Sequence, residues 1–357
     1  MSIFKDMENM GHEEVAFFRD RRTGLRAIIA IHDTTLGPAL GGCRMWPYRS
    51  EEEALYDVLR LSRGMTYKNS VMGLNLGGGK AVIIGDPRKD KSEELLRAFG
   101  RFVESLGGRY YTAEDVGISA EDMAIVNQET RFVAGLPQTS GDPSPATAFG
   151  VYQGMKACAQ EAYGSPSLRG KKVALQGAGH VGYNLARLLK EEGAELYVTD
   201  IYEDRVEKVV QDFGAQAVEP DRIYDVPADI FAPCALGAVL NDETIPRLKV
   251  RIVAGAANNQ LKEERHGDEL KERGIIYAPD FVINGGGVTN VADEFLPGGY
   301  NRERAYARIA KIFDKVAQIL AMAREKNIST ARAANLVAEE RIRRLAGRKD
   351  FYLPGER

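Results

Sequence analysis

Apolar residues recur along this chain at two periods, and the place where their arrangement changes marks its organisation. In the N-terminal part, short apolar runs (EEVAFFRD, LRAIIAIH, KAVIIGD, GRYYTAED) read as strands among helical stretches. One helix opens on Ser50-Glu51-Glu52-Glu53, a serine N-cap with an acid three residues on. This mixture predicts an α/β domain over residues 1–140. The segment GLPQTSGDPSPATAFG is rich in turn formers and is the expected hinge, with Ser144 as N-cap and Pro145 at the first position of a helix over 146–163. After Gly170 the alternation becomes regular: KKVALQ, helix, AELYVTD, helix, ADIFAP, RIVAGAA, helix, GIIYAP. Strand and helix alternating at this spacing predict a parallel, doubly wound sheet over 141–325. Helical patterns run from Arg302 to Lys326 and from Ser329 to Leu345, and the segment 326–357 is expected to pack back on the first domain.

Length and charge narrow the classes of function. A chain of 357 residues suits two domains better than one, and a net charge of −3 with interspersed signs advertises no face for nucleic acid or anionic lipid. The N-terminus MSIFKDMENMGHEE lacks the apolar core of a signal peptide, and no apolar run approaches the ~18 residues of a membrane span. A soluble cytoplasmic protein with a small-molecule partner is expected. Cys43, Cys158 and Cys234 are scattered and odd in number, which suits inert packing in a reducing compartment. His12, His32, His180 and His266 never fall at i, i+4, so no metal site is expected.

The run VALQGAGHVGYNLARLLKEEGAELYVTD holds Gly177, Gly179 and Gly182 in G-x-G-x-x-G, with His180 and Val181 between the last two glycines. It follows an apolar strand, opens an amphipathic helix, and leads to a second strand ending in Asp200. This is the context of a Rossmann dinucleotide fingerprint, in which glycines admit the pyrophosphate to a helix N-terminus. Asp200 can accept hydrogen bonds from the ribose hydroxyls and repels a 2′-phosphate, and Glu203 and Asp204 add to that repulsion. NAD is therefore expected over NADP. The alternatives are a glycine turn without ligand and a flavin site.

The stretch MTYKNSVMGLNLGGGKAVIIGD resembles a phosphate-binding loop only superficially, because Leu74 stands where its first glycine belongs and Ala81 where the Ser or Thr belongs. What remains is Lys80 on a stiff glycine turn, with Lys68 twelve residues earlier. The loop LGPALGGCRMW, with Gly41 and Gly42, brings bare backbone towards a ligand, and Asp115 ends the run YYTAED. Two ammonium groups held close lower one another's proton affinity, so one can serve as a base. A carboxylate-binding lysine, a basic lysine and an aspartate describe a site for an amino acid.

The runs IAIHDTTLGPALGGCRMW, GMTYKNSVMGLNLGGGKAVIIGDPRKDKSE, GRYYTAEDVG, AGAANNQLKEERHGD, IIYAPDFVINGGGVTNVADE and YNRERA resemble the leucine-type branch of the Glu/Leu/Phe/Val amino acid dehydrogenase superfamily along nearly the whole chain. The resemblance implies reversible oxidative deamination of branched-chain L-amino acids with NAD, giving a 2-oxo acid and ammonia. It implies Lys68 on the substrate carboxylate, Lys80 as general base and Asp115 handling protons at the substrate nitrogen. Thr147 would hold the nicotinamide carboxamide, Asn258 would lie near nicotinamide and substrate, and Ala235 and Leu236 would line the cofactor cleft. Leu40, Met65, Ala113, Val288 and Val291 match the apolar side-chain pocket. A homo-oligomer, an octamer in close relatives, is implied as well. A phenylalanine- or valine-preferring enzyme would use the same catalytic set, a glutamate enzyme would need a basic pocket residue that these positions lack, and a silent NAD-binding scaffold would have no use for the lysines.

Overall fold

The computed structural model describes residues 3–235 and 237–347, so Leu236 lies outside the described residues. The chain forms two compact units. One comprises residues up to Asp142, Val291–Tyr300 and the residues from Ala338 onward; the other comprises Pro143–Asn290 and Asn301–Val337.

The first unit runs α1 (Ile3–Met10), β1 (Glu14–Arg19), β2 (Arg26–Asp33), β3 (Ala39–Leu40), β4 (Cys43–Trp46) and α2 (Glu51–Val71). It continues through β5 (Gly77–Ile84), α3 (Glu93–Ser105), β6 (Tyr110–Tyr111) and α4 (Ala120–Val126). The sheet order is β1-β2-β5-β3-β6, with β4 also pairing β5. β2 runs antiparallel to both of its neighbours, β1 and β5, whereas β3 and β4 run parallel to β5. Alternation decides which helix covers which face. Ile28, Ala30 and Val82 pack on Ala54, Leu55, Val58 and Leu59 of α2, while Ile29, Ile31, Ala81 and Ile83 pack on Leu95, Phe99 and Val103 of α3 and Met123 of α4. Each such large side chain contributes roughly 1.5–3 kcal/mol on burial. Ser50 caps α2 as its sequence predicts, accepting from the Glu53 amide at 3.1 Å.

Local expectations fail in three places. Gly77, Gly78 and Gly79 are not a turn but the first residues of β5, with none in the left-handed region. They are glycines because neighbours press on the strand: a Cβ on Gly78 would strike the Thr66 backbone of α2, and one on Gly79 would come 2.7 Å from the Tyr110 ring. The expected strand GRYYTAED shrinks to two residues, and α1 is a helix that the apolar pattern did not announce.

The second unit opens on α5 (Ser144–Tyr163), so Ser144 is already helical and Pro143 is the N-cap. It continues through β7 (Lys172–Gln176), α6 (His180–Glu192), β8 (Glu195–Thr199), α7 (Glu203–Phe213), β9 (Gln216–Ala217), β10 (Ile230–Pro233) and β11 (Ile252–Val253). Then come α8 (Arg265–Glu272), β12 (Ile276–Tyr277), α9 (Asp280–Ile283), α10 (Gly286–Ala292), α11 (Arg302–Ala310), α12 (Ile312–Lys326) and α13 (Thr330–Leu345). All strand pairs are parallel, in the order β12-β11-β10-β7-β8-β9. The order reverses between β7 and β10, the topological switch point beside which doubly wound sheets bind ligands. The helical run predicted from Arg302 to Lys326 is two helices, and α11 and α12 pack on α5 within this unit. The return to the first unit starts inside α13, where Ala338 O accepts from Ser70 Oγ at 2.7 Å and Arg341 donates to Leu74 O at 2.8 Å. Among the described residues no helix is long and apolar enough to cross a membrane.

Candidate active site

In the first unit β5 presents Lys80 from the middle of the sheet, opposite Ala30 of β2. Its side chain is only 7% exposed, and its Nζ lies 3.1 Å from Asp115 Oδ2. The same oxygen accepts from Arg44 Nε at 3.0 Å. Arg44 also donates to Asp57 Oδ2 at 3.0 Å, where Tyr48 OH donates at 2.7 Å. Burial pushes the Asp115 carboxyl up, but Lys80 and Arg44 together more than offset it and hold it below the usual carboxylate range. Next to it, burial and the charges of Asp142 and Glu121 push the half-buried Glu114 carboxyl up to about 7.

Asp115 is a charged partner that the structure places on Lys80, beside the ammonium pairing that the sequence leads one to expect. Arg44 was not anticipated at all. Its signal was slight: one cation between buried Cys43 and Met45 on β4.

Of the remaining first-unit candidates, Gly42 comes close to this cluster, since a Cβ there would stand 2.9 Å from Asp115 Cβ. Gly41 and Gly42 follow β3, and a Cβ on either would collide with backbone, that of Gly79 for Gly41 and of Glu114 for Gly42. The buried Tyr110 hydroxyl donates to Gly41 O at 2.6 Å and fixes this segment. Met65 approaches it closely, its Cγ 3.2 Å from where a Gly41 Cβ would stand. Leu40 is buried, Ala113 O accepts from Cys43 N at 2.8 Å, and Val291 is buried beside Gly135. Lys68 occupies the last turn of α2, the helix packed on β5.

In the second unit the glycine-rich turn connects β7 to α6. Gly177 has φ +103°, which only glycine adopts freely, and a Cβ there would come 2.8 Å from Ala235 N. A Cβ on Gly182 would strike Gly177 O. Gly179 is different: the nearest protein atom to its missing Cβ is Arg205 NH1, 3.8 Å away. It is the N-cap of α6, with no side chain capping the helix. Open space at a bare helix N-terminus fits a pyrophosphate. His180 and Val181 form the first turn of that helix.

Asp200, just past β8, accepts from Ala178 N at 2.7 Å and from Tyr202 N at 3.0 Å, so it pins the glycine turn. Each oxygen retains acceptor capacity for a ribose hydroxyl. Thr147 lies in the first turn of α5, its Oγ1 2.6 Å from where a Gly287 Cβ would stand. Asn258 is exposed and its Oδ1 accepts from Asn284 Nδ2 at 2.7 Å. Val288 sits half-buried on α10, and Ala235 is exposed beyond β10.

Family models match the chain over both units. Residues 12–132 match the model of the Glu/Leu/Phe/Val dehydrogenase dimerisation domain, and residues 140–201 and 196–349 match that of the Glutamate/Leucine/Phenylalanine/Valine dehydrogenases. The chain is 60% identical over 356 residues to leucine dehydrogenase of Geobacillus stearothermophilus, covering 99% of this chain and 96% of that one. It is 52% identical to phenylalanine dehydrogenase of Caldalkalibacillus thermarum, over 96% and 94% of the two chains. Among solved structures, L-tryptophan dehydrogenase of Nostoc punctiforme superimposes with a TM-score of 0.83 at 47% identity, over 96% of this chain and 99% of that one. Family models that span both units and near-full-length relatives at this identity leave one conclusion: the chain belongs to the Glu/Leu/Phe/Val dehydrogenase family of amino acid oxidoreductases.

Proposed function

We propose that this protein catalyses the reversible NAD-dependent oxidative deamination of branched-chain L-amino acids, leucine first, with isoleucine and valine as further substrates. The observation that carries the reading is the Lys80–Asp115 pair, 3.1 Å apart, in a chain whose curated relatives include leucine dehydrogenases at 57–60% identity. The family uses NAD(P); preference for NAD follows from Asp200, whose carboxylate repels a 2′-phosphate. When bound, the nicotinamide supplies the hydride acceptor. Thr147 and Asn258 would orient its ring end, Gly177, Gly179, Gly182 and the α6 N-terminus would hold its phosphates, and Ala235 would line its cleft.

The remaining chemistry belongs to the first unit. Lys68 binds the substrate carboxylate beside the bare backbone of Gly41 and Gly42. Lys80 takes the proton from the water that attacks the imino carbon, and Asp115 exchanges protons with the substrate nitrogen. Because Lys80 and Asp115 share a hydrogen bond, a proton can pass between them without crossing bulk water. Leu40, Met65, Ala113 and Val291 of this unit receive the side chain. None is basic, which disfavours glutamate. A methylene more or less is worth about 1–3 kcal/mol, so overlap among leucine, isoleucine and valine is expected. Residues 1–140 serve the substrate, 141–325 the cofactor, and 326–357 return to the first domain; the enzyme works in the cytoplasm as a homo-oligomer.

A panel of L-amino acids assayed with NAD and NADP by reduced-cofactor absorbance tests the reading. Leucine with NAD should give the highest kcat/KM. Lys80→Ala should lower kcat by at least a hundredfold with cofactor affinity kept, whereas Lys68→Ala should chiefly raise KM for the amino acid. Wild-type kcat in Lys80→Ala would refute the assignment of the base, and a preference for phenylalanine would move the proposal to that branch.

A further inference from the structure

A third cluster of polar groups lies in the second unit, on α8 and the turn at Asn241–Thr244. His266 is fully buried, yet its Nε2 has no hydrogen-bond partner, a costly state for a ring nitrogen. Nδ1 accepts from Glu263 N–H at 3.0 Å and lies 3.2 Å from Glu263 O. Nε2 instead has a carboxylate beside it and a second on its own helix. Asp242 Oδ2 is 3.6 Å away, and Glu269 stands one helical turn on, at the i, i+3 position that shares a helix face with His266. The ligand atoms of Asp242, His266 and Glu269 all lie within 4.8 Å of one another.

We propose that Asp242, His266 and Glu269 form a binding site for a first-row divalent transition metal, for which zinc is the best match. One imidazole and two carboxylates make a nitrogen–oxygen donor set suited to tetrahedral zinc with one position left for water. Magnesium and calcium prefer all-oxygen sites of higher coordination number, so the imidazole selects against them. The Glu263 backbone holds the ring at Nδ1, to which its N–H donates, and so fixes Nε2 as the nitrogen turned to Asp242, as a supporting partner does in metal sites; the Nε2 proton is released when a metal takes that position. Donors on one zinc stand roughly 3.4 Å apart, given bonds of ~2.0–2.1 Å. The Asp242 side chain is 57% exposed and can close the difference by swinging inward.

A competitor is built in. Arg265 grips both Asp242 oxygens at 2.7 Å and holds that carboxyl down to about 2. The same guanidinium also bonds Glu263 at 3.0 Å, so it keeps an anionic partner when a metal takes Asp242. The bound ion would fasten the Ala238–Thr244 segment to α8. That segment already pairs with the stretch holding Asn258 through Ala238 N to Asn259 O at 2.7 Å and Leu240 N to Gln260 O at 2.9 Å.

The test is zinc titration of the full-length protein, pre-treated with a chelator, against a chromophoric zinc indicator, with the melting temperature followed in parallel. One zinc per chain should bind, the melting temperature should climb with zinc, and millimolar magnesium or calcium should not displace it. Asp242→Asn and Glu269→Gln, both away from the core, should each weaken zinc at least tenfold. Arg265→Gln should tighten it several-fold, because the competing cation is gone. Zinc affinity unaltered in both carboxylate variants, no zinc retained by the wild type, displacement by magnesium, or weaker binding in Arg265→Gln would each overturn the site.

Discussion

Asp115 stays ionised inside an apolar unit because two cations face one of its oxygens, Lys80 at 3.1 Å and Arg44 at 3.0 Å. Arg44 thus acts on the chemistry through its neighbour, as a positioning residue. Arg44→Gln removes one of the two opposing charges, so the Asp115 carboxyl should rise and the acid limb of the kcat/KM profile should move to higher pH. Asp57→Asn is the control, since it loosens the other end of Arg44 without touching Asp115. It should lower stability and leave the limb near its wild-type position. If the limb stays put in Arg44→Gln as well, Arg44 is only structural. The contrast between these residues shows what could be read in advance. Lys68, Lys80 and Asp115 stand on short runs whose residue types already describe an amino acid site. Arg44 gains its meaning from partners 71 and 13 positions away, and no local pattern encodes such a pairing. The glycines before Lys80 look like a turn in sequence for a related reason: bulk arriving from Thr66 and Tyr110, not the path of the chain, demands the missing side chains of Gly78 and Gly79.

Elements in the first unit are joined by polar contacts whose strength depends on pH. His32 on β2 donates from Nε2 to Met10 O at the end of α1, 3.0 Å away, and accepts at Nδ1 from Thr66 Oγ1 on α2, 2.8 Å away. His12, packed edge-on to it at 4.8 Å, reaches Ser62 on α2 at 2.8 Å. Burial lowers His32 to about 4, and burial together with the His32 ring lowers His12 to about 4 as well. A histidine depressed on folding takes up fewer protons than in the unfolded chain. Its contribution is therefore intact above the unfolded value near 6.5 and is lost as pH falls from there towards 4. For buried His32 the loss is on the order of 3 kcal/mol. Melting curves from pH 7.5 to 4 should show this decline, and His32→Gln, less stable at pH 7.5, should decline less; parallel curves would rule the histidine out. A second link is insensitive to these rings. Glu294 accepts from Gly135 N at 3.2 Å, Thr139 Oγ1 at 2.6 Å and Ser140 N at 3.0 Å, joining the segment where the chain leaves the first unit to one where it re-enters. Glu294→Ala should speed amide exchange at Gly135 and Ser140 at least tenfold, and unchanged exchange would deny the clamp. Strands with clear alternation, such as β2 and β5, were legible from sequence. The eight-residue α1 and two-residue β6 were not, because elements so short owe their form to what they dock on.

At the scale of the whole molecule, the alternation after Gly170 carried most of the information, since parallel strands with helical crossovers admit few topologies. The reversal of strand order beside the glycine turn then follows from chain connectivity. The surface of the first unit was less legible, because a run such as EVAFFR looks alike whether its outward residues meet water or another chain. Among the described residues, β1 is a sheet edge whose far side pairs with no strand. Phe18 turns inward and stacks on Phe102 at 4.6 Å, which leaves Phe17 on the opposite face, 52% exposed. Trp46, on the same sheet, is 49% exposed. An exposed edge strand bearing an aromatic residue is an aggregation hazard unless something covers it. The stretch matched by the family's dimerisation domain, residues 12–132, contains all of these groups. We therefore expect chains to associate through this edge, each Phe17 contributing about 1–2 kcal/mol on burial. Sedimentation should give the wild type a mass at least twice the 39.3 kDa of one chain. Phe17→Glu, which places a charge on the edge while leaving the Phe18 side intact, should shift the distribution towards the single-chain mass at low micromolar concentration and keep the far-ultraviolet dichroism unchanged. A wild type that sediments as a single chain would remove the premise. A Phe17→Glu variant as large as the wild type would show that the chains meet through some other surface.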